Sequence, residues 1–142
     1  MDRLHNVPNS PVVGTNPNRL RFEQELIKSA PVLLDALQRQ FALEAIQRHC
    51  SYRAWTLHAA HVRSNHVHVV VWADIPPEKV MVQLKSYASR ALNRVDRRPP
   101  KRWARHGSTR YLWKIEHLAA AVDYVEHGQG EPMALYVDAE RG

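Results

Sequence analysis

Apolar side chains return at helical spacing just after residue 34. Leu37, Phe41, Ala45 and Ile46, with Ala42 beside them, form one stripe. Asp35 stands at an N-cap position and Gln38 follows three residues later, the pattern of a capping box, which predicts a helix from Asp35 to about Cys50. The period then drops to two. Tyr52–Val62 alternates, with Trp55, Leu57, Ala59 and His61 assigned to one face. His66–Trp72 concentrates the β-branched Val67, Val69, Val70 and Val71. The short link Arg63-Ser64-Asn65 joins the two as an antiparallel hairpin. Pro76-Pro77-Glu78 opens a second helix. Its core stripe is Val80, Leu84, Tyr87, Ala88, Ala91 and Leu92, and Lys79, Lys85, Arg90 and Arg94 lie off it. Asp96–Gly107 reads as a basic loop and Thr109–Lys114 as a strand. Glu116–Gly128 reads as a last helix with Leu118, Ala121, Val122 and Val125 inward, ended by Gly128 and Gly130 before Pro132.

The flanks carry less pattern. Residues 1–30 are expected to form an irregular arm punctuated by Pro8, Pro11, Gly14 and Pro17, with a short helix over Arg21–Lys28 that Pro31 breaks. Residues 131–142 form an acidic tail, and residues 31–130 hold the folded domain. The order of helix, two strands, helix, strand and helix predicts an α+β fold, an antiparallel sheet covered by helices. The 142 residues suit one domain with its own core. No run approaches the ~18 apolar residues of a membrane span, and the polar start lacks a signal-peptide core. A single cysteine, Cys50, rules out an intrachain disulfide and suits a small buried hydrophobe. A cytoplasmic protein with no membrane partner is expected.

Charge changes the picture. The net charge is +6 with a pI near 9.8. Residues 76–117 carry 11 Lys/Arg against 3 Asp/Glu, whereas residues 118–142 carry 1 against 5. A positive segment of this kind suits a polyanion such as nucleic acid. Lys85, Arg90, Lys101, Arg102, Arg105 and Arg110 are the candidate phosphate contacts. Trp103, Tyr111 or Trp113 are candidates to stack on unpaired bases, with a core strand role for Tyr111 and Trp113 as the other reading.

The chemistry concentrates in two places. In Asn65-His66-Val67-His68-Val69-Val70-Val71, strand alternation points His66 and His68 to one side and Val67 to the core. Two imidazoles about 7 Å apart along one strand can ligate one divalent ion. On the last helix stands Tyr124, in Tyr124-Val125-Glu126-His127-Gly128-Gln129. A phenol can attack a phosphodiester whose phosphate a metal polarises, leaving a phosphotyrosine that a 3′-hydroxyl can reverse without ATP. His58, His61, His106 and His117 receive no role.

With these pieces in order, the chain resembles the one-tyrosine HUH transposases, the family of REP-associated tyrosine transposases and small insertion-sequence transposases. The match runs from about Asp35 to Gln129. It takes in the His66-Val67-His68 strand, the helix Leu84-Lys85-Ser86-Tyr87-Ala88-Ser89-Arg90, the segment Trp103–Trp113 and the Tyr-Val-x-x-Gly-Gln ending. The resemblance implies a ferredoxin-like or RRM-like fold, Mg²⁺ or Mn²⁺, single-stranded DNA substrates that often form hairpins, and a homodimer. It implies Tyr124 as nucleophile and His66 and His68 as metal ligands. The family's third ligand commonly stands four residues after the tyrosine. That position is Gly128, which cannot ligate, so the role passes to Gln129, with His127 as the other candidate. The resemblance also implies a strand near the N-terminus. None is legible there, so a shortened sheet with an exposed edge is expected. This leaves as the alternative a catalytically impaired or domesticated nucleic-acid-binding module.

Overall fold

The computed structural model describes residues 20–29, 33–96 and 102–138. The elements run β1 (Leu20–Lys28), α1 (Ala36–Arg53), β2 (Thr56–Val62), β3 (His66–Ala73), α2 (Pro77–Leu92), β4 (Trp103–Tyr111), α3 (Ile115–His127) and β5 (Ala134–Val137). One antiparallel sheet has the order β4-β1-β3-β2-β5. The α+β class and the helix-covered antiparallel sheet stand as expected.

The strand expected to be missing is present. Leu20–Lys28 is neither arm nor helix but β1, between β4 and β3, with Glu25 opposite His68 and Ile27 opposite His66. Phe22 and Leu26 are four apart, as in a helix, and the glutamates are good helix formers. Alternation is blurred because the buried face also carries Gln24 and Lys28. Pairing on both sides overrides that weak preference. The opposite boundary also moves. Ala134–Val137, assigned to the acidic tail, pairs with β2 at the far edge.

Asp35 caps α1 as predicted. Its Oδ1 accepts from the Gln38 N–H at 2.8 Å, and Gln38 Oε1 accepts from the Asp35 N–H at 2.9 Å. The helix continues past Cys50 to Arg53 and stops at Ala54, which is left-handed. Leu37 does not join the core and is 57% exposed; Leu43, His49 and Cys50 extend the buried stripe instead. In α2, Tyr87 lies at the rim and not in the core. A register shift between Leu57 and Ala59 breaks the assigned face of β2. A bulge adds one residue and reverses the alternation after it. Leu57, Ala60 and Val62 therefore enter the large core, whereas Ala59 joins the small one.

Two layers flank the sheet. α1 and α2 cover one face with Ile46, Val80, Leu84 and Leu92 against Phe22, Leu26, Val67, Val69 and Val71. α3 covers the other with Ala121, Val122 and Val125 against Ala59, Val70 and Leu112. No helix among the described residues is long and apolar enough to cross a membrane.

Candidate active site

Alternation along β3 sends His66 and His68 to the α3 face and Val67 into the large core, as the sequence predicts. Pairing with β1 then sets Glu23 and Glu25 beside them, two residues that carried no signal by themselves. The His66 Nδ1 atom lies 2.8 Å from Asn65 Oδ1. An amide oxygen only accepts, so Nδ1 donates, and Nε2 keeps its lone pair. His68 is held the other way round. Its Nε2 is 3.0 Å from Glu23 Oε1, so that nitrogen donates and Nδ1 holds the lone pair. Gln129 Nε2 donates to His68 Nδ1 at 2.9 Å. The Glu25 carboxylate lies 3.7 Å from His66 Nε2 and 3.9 Å from His68 Nδ1.

Glu23 is shared between His68 and Arg110, and both partners hold its carboxyl below the usual range, with the His68 hydrogen bond the larger cause. Burial lowers the His66 imidazole, and Glu25 opposes that shift. His61 had no assigned role, yet it faces His68 across the β2–β3 pair and is almost wholly buried. Its Nε2 accepts from the Met133 N–H at 2.8 Å. Burial pushes this imidazole down, while Gln129 opposes the shift. His61 thus backs the amide that meets His68.

Tyr124 projects from α3 into the same region, half exposed. Its ring centroid lies 5.7 Å from that of His68, at an angle of 60°. Gly128 explains that placement: a Cβ there would stand 2.4 Å from Tyr124 Cδ1. The glycine that cannot ligate leaves room for the tyrosine ring. Tyr124, His68, Glu23, Glu25, Thr109 and Arg110 surround an open cleft of about 370 Å³.

The two candidates for a third ligand part here. His127 pairs with Asp123 at 3.0 Å and is 65% exposed, while Gln129 meets His68. Among the described residues no three His, Cys, Asp or Glu side chains form a ready cage for an ion. The donor set that fits draws its third member from an amide. Gln129 Oε1 is buried without a hydrogen-bond partner. A buried acceptor of this kind, on an amide whose Nε2 meets His68, suits a divalent cation.

The predicted DNA contacts divide. Arg110 and Arg105 are exposed, and Arg110 lines the cleft. Arg90 is exposed on α2. Three others are structural. Arg102 is 4% exposed and donates to Asn93 Oδ1 at 3.0 Å and to the Asp96 carbonyl. Trp103 is buried, and its Nε1 donates to Ser89 Oγ at 2.9 Å. Lys85 donates to the Ala104 carbonyl at 3.1 Å. Residues 103–107 of the expected basic loop belong to β4, and Arg102 and Trp103 turn inward. Lys101 lies outside the described residues. Tyr111 and Trp113 stack at 5.2 Å, with Tyr111 40% exposed.

An antiparallel sheet carrying a His-x-His strand, with a tyrosine helix laid beside it, defines a class of protein. Residues 27–129 match the family model described as "Transposase IS200 like", and the chain belongs to that family. Among solved structures, a REP-associated tyrosine transposase bound to a REP hairpin is similar in fold. The TM-score is 0.61 at 15% identity, over 75% of this chain and 64% of that one. A candidate transposase from Deinococcus radiodurans R1 matches with a TM-score of 0.52 at 13% identity, over 78% of this chain and 91% of that one. Among curated proteins none matches. The chain thus spans under two thirds of the REP-associated protein's length.

Proposed function

We propose that this transposase cleaves and rejoins single-stranded DNA through a 5′-phosphotyrosine on Tyr124. The observation that carries the reading is the meeting of Gln129 with His68, its Oε1 left unpartnered, in the region that Tyr124 enters. His66, His68 and Gln129 would hold a Mg²⁺ or Mn²⁺ ion. Bound there, the ion would neutralise charge on the scissile phosphate and orient it.

The chain's own residues do the rest. The Glu23 carboxylate fixes the ring and tautomer of His68, and Asn65 does the same for His66. Tyr124 Oη attacks phosphorus. The Oη–P bond forms, the bond from phosphorus to the 3′ oxygen breaks, and that oxygen takes up a proton as the phenolic proton leaves to solvent. The 5′ phosphate stays on the tyrosine. A 3′-hydroxyl reverses the step and frees the phenol, which conserves bond energy. Arg110 lines the cleft, where a flanking phosphate would pass. A hairpin substrate and a homodimer complete the reading, and the hairpin in the REP-associated structure supports the former.

The test is a denaturing gel. Protein is incubated with labelled single-stranded hairpins and Mg²⁺ or Mn²⁺. The expected product is a protease-sensitive covalent band that requires metal and disappears in Tyr124→Phe. Wild-type protein that binds these strands yet makes no such band with either metal overturns the reading.

A further inference from the structure

On the outer side of the helical layer, a groove of about 410 Å³ runs between α1 and α2. Ala45 and Ala91 form its floor and let the helices approach. Three guanidinium groups, Arg48, Arg90 and Arg94, stand around it, all exposed. Among the described residues none of the three has a carboxylate within ion-pair distance, so their charge is not neutralised locally. Between them lies an array of rings. Tyr87 stacks on His49 at 4.1 Å and 19°, and Arg90 lies over Tyr87 at 4.6 Å. His49 is fixed by a 2.7 Å hydrogen bond to Gln83 and edge-on contact with Trp55. Tyr52 extends the array at 6.3 Å from His49 and is 80% exposed.

We infer that this groove is a second nucleic-acid site, one that takes a single-stranded segment by its phosphates and its unpaired bases. Guanidinium groups pair with phosphodiester oxygens, and an exposed tyrosine ring offers a face to a base. The combination selects the ligand class. A small anion has no use for the rings, an acidic peptide lacks planar faces to lay on Tyr52, and a duplex hides its base faces in the stack. The groove lies on the opposite face of the sheet from Tyr124 and His68, so it is not part of the cleft. It gives the strand handled in the cleft, or another segment of it, a second hold. The inference shares with the proposed function only that the partner is a single strand.

The experiment isolates binding from chemistry. Tyr124→Phe protein is titrated with fluorescein-labelled oligothymidylate, without divalent ion, and anisotropy is followed over a range of salt. Arg48→Glu/Arg94→Glu is expected to weaken binding about tenfold or more at low salt, and to flatten the salt dependence by about 1.4, from two lost phosphate contacts at ~0.7 each. Tyr52→Ala is expected to weaken it about fivefold or more. Lys79→Glu, a single charge reversal on exposed α2 surface outside the groove, is expected to change it by less than about twofold. Circular dichroism checks that each variant is folded. Affinity and salt slope unchanged in Arg48→Glu/Arg94→Glu overturn the inference, as does an equal loss in Lys79→Glu. Because no metal or nucleophile takes part, failure here leaves the adduct assay untouched, and failure of the adduct assay leaves this result standing.

Discussion

The two faces of the sheet are built from the same strands to opposite ends. Toward α1 and α2, β3 presents Val67, Val69 and Val71, each fully buried against apolar neighbours. Toward α3 it presents His66 and His68, whose partners are carboxylates and amides. The difference comes from coverage. α1 has 18 residues and α2 has 16, whereas the 13-residue α3 seals only a small cluster around Val70 and leaves the histidine end open. A period-two strand thereby lets one face close into a dry core while the other sets His68 at the edge of a cleft. Stability and chemistry are separated by a single sheet thickness.

That separation can be broken most directly with one substitution on each face. Leu84→Ala should cost about 2–5 kcal/mol by removing buried methyl groups and leaving a cavity, as read from urea unfolding. Its adduct yield per folded molecule should hold. His68→Ala should do the reverse. Adduct formation falls by more than about 100-fold, while unfolding shifts by under about 2 kcal/mol. Equal destabilisation by both would mean that the faces are not energetically distinct.

A finer probe is Gly128→Ala. The added methyl would displace the Tyr124 ring without touching either core, so adduct formation should slow by about 10- to 100-fold. Metal-independent binding of single strands should stay as it was. A rate equal to wild type would show that the tyrosine does not need its observed position.

The smallest effect concerns pH. His58 lies at the β2 bulge and accepts from Arg21 Nε at 3.2 Å. Burial is the main cause that pushes its imidazole down to about 4, from 6.5. The unfolded chain therefore takes up a proton near 6.5 that the folded chain refuses until about 4. Its contribution is complete above the unfolded value and is lost as pH falls toward the folded one. Unfolding at pH 5 should be easier than at pH 7 by about 2 kcal/mol from this group, and His58→Gln should flatten that slope. On the dry face the buried Lys28 ammonium is pushed down to about 8 by burial, above this pH window. The buried Cys50 thiol there is pushed up to about 12 and stays uncharged throughout.

Legibility followed the strength of the local pattern. The α1 capping box, the β3 alternation and the α2 start could be read because propensity, spacing and burial agree at those places. β1 could not, since its buried face mixes Phe22 and Leu26 with Gln24 and Lys28. β4 was read only at its end, within the expected strand Thr109–Lys114; its start at Trp103, just after Arg102, looks solvent-exposed in sequence until α2 is known to cover it. Basic residues therefore overstated the DNA surface, and the groove partners Arg48 and Tyr52 on α1 went unnoticed.

The site divides in the same way. The sequence alone picked out His66, His68 and Tyr124 as candidates: strand alternation set the two imidazoles on one side, and the tyrosine gained its role from standing in the same chain as that strand and from the family resemblance. Only the tertiary structure decided between Gln129 and His127 as the neighbour of His68, since that depends on how the chain leaves α3. It alone brought Glu23, Glu25 and His61 to the site, because cross-strand neighbours are set by register between segments far apart in sequence, and no local spacing encodes that.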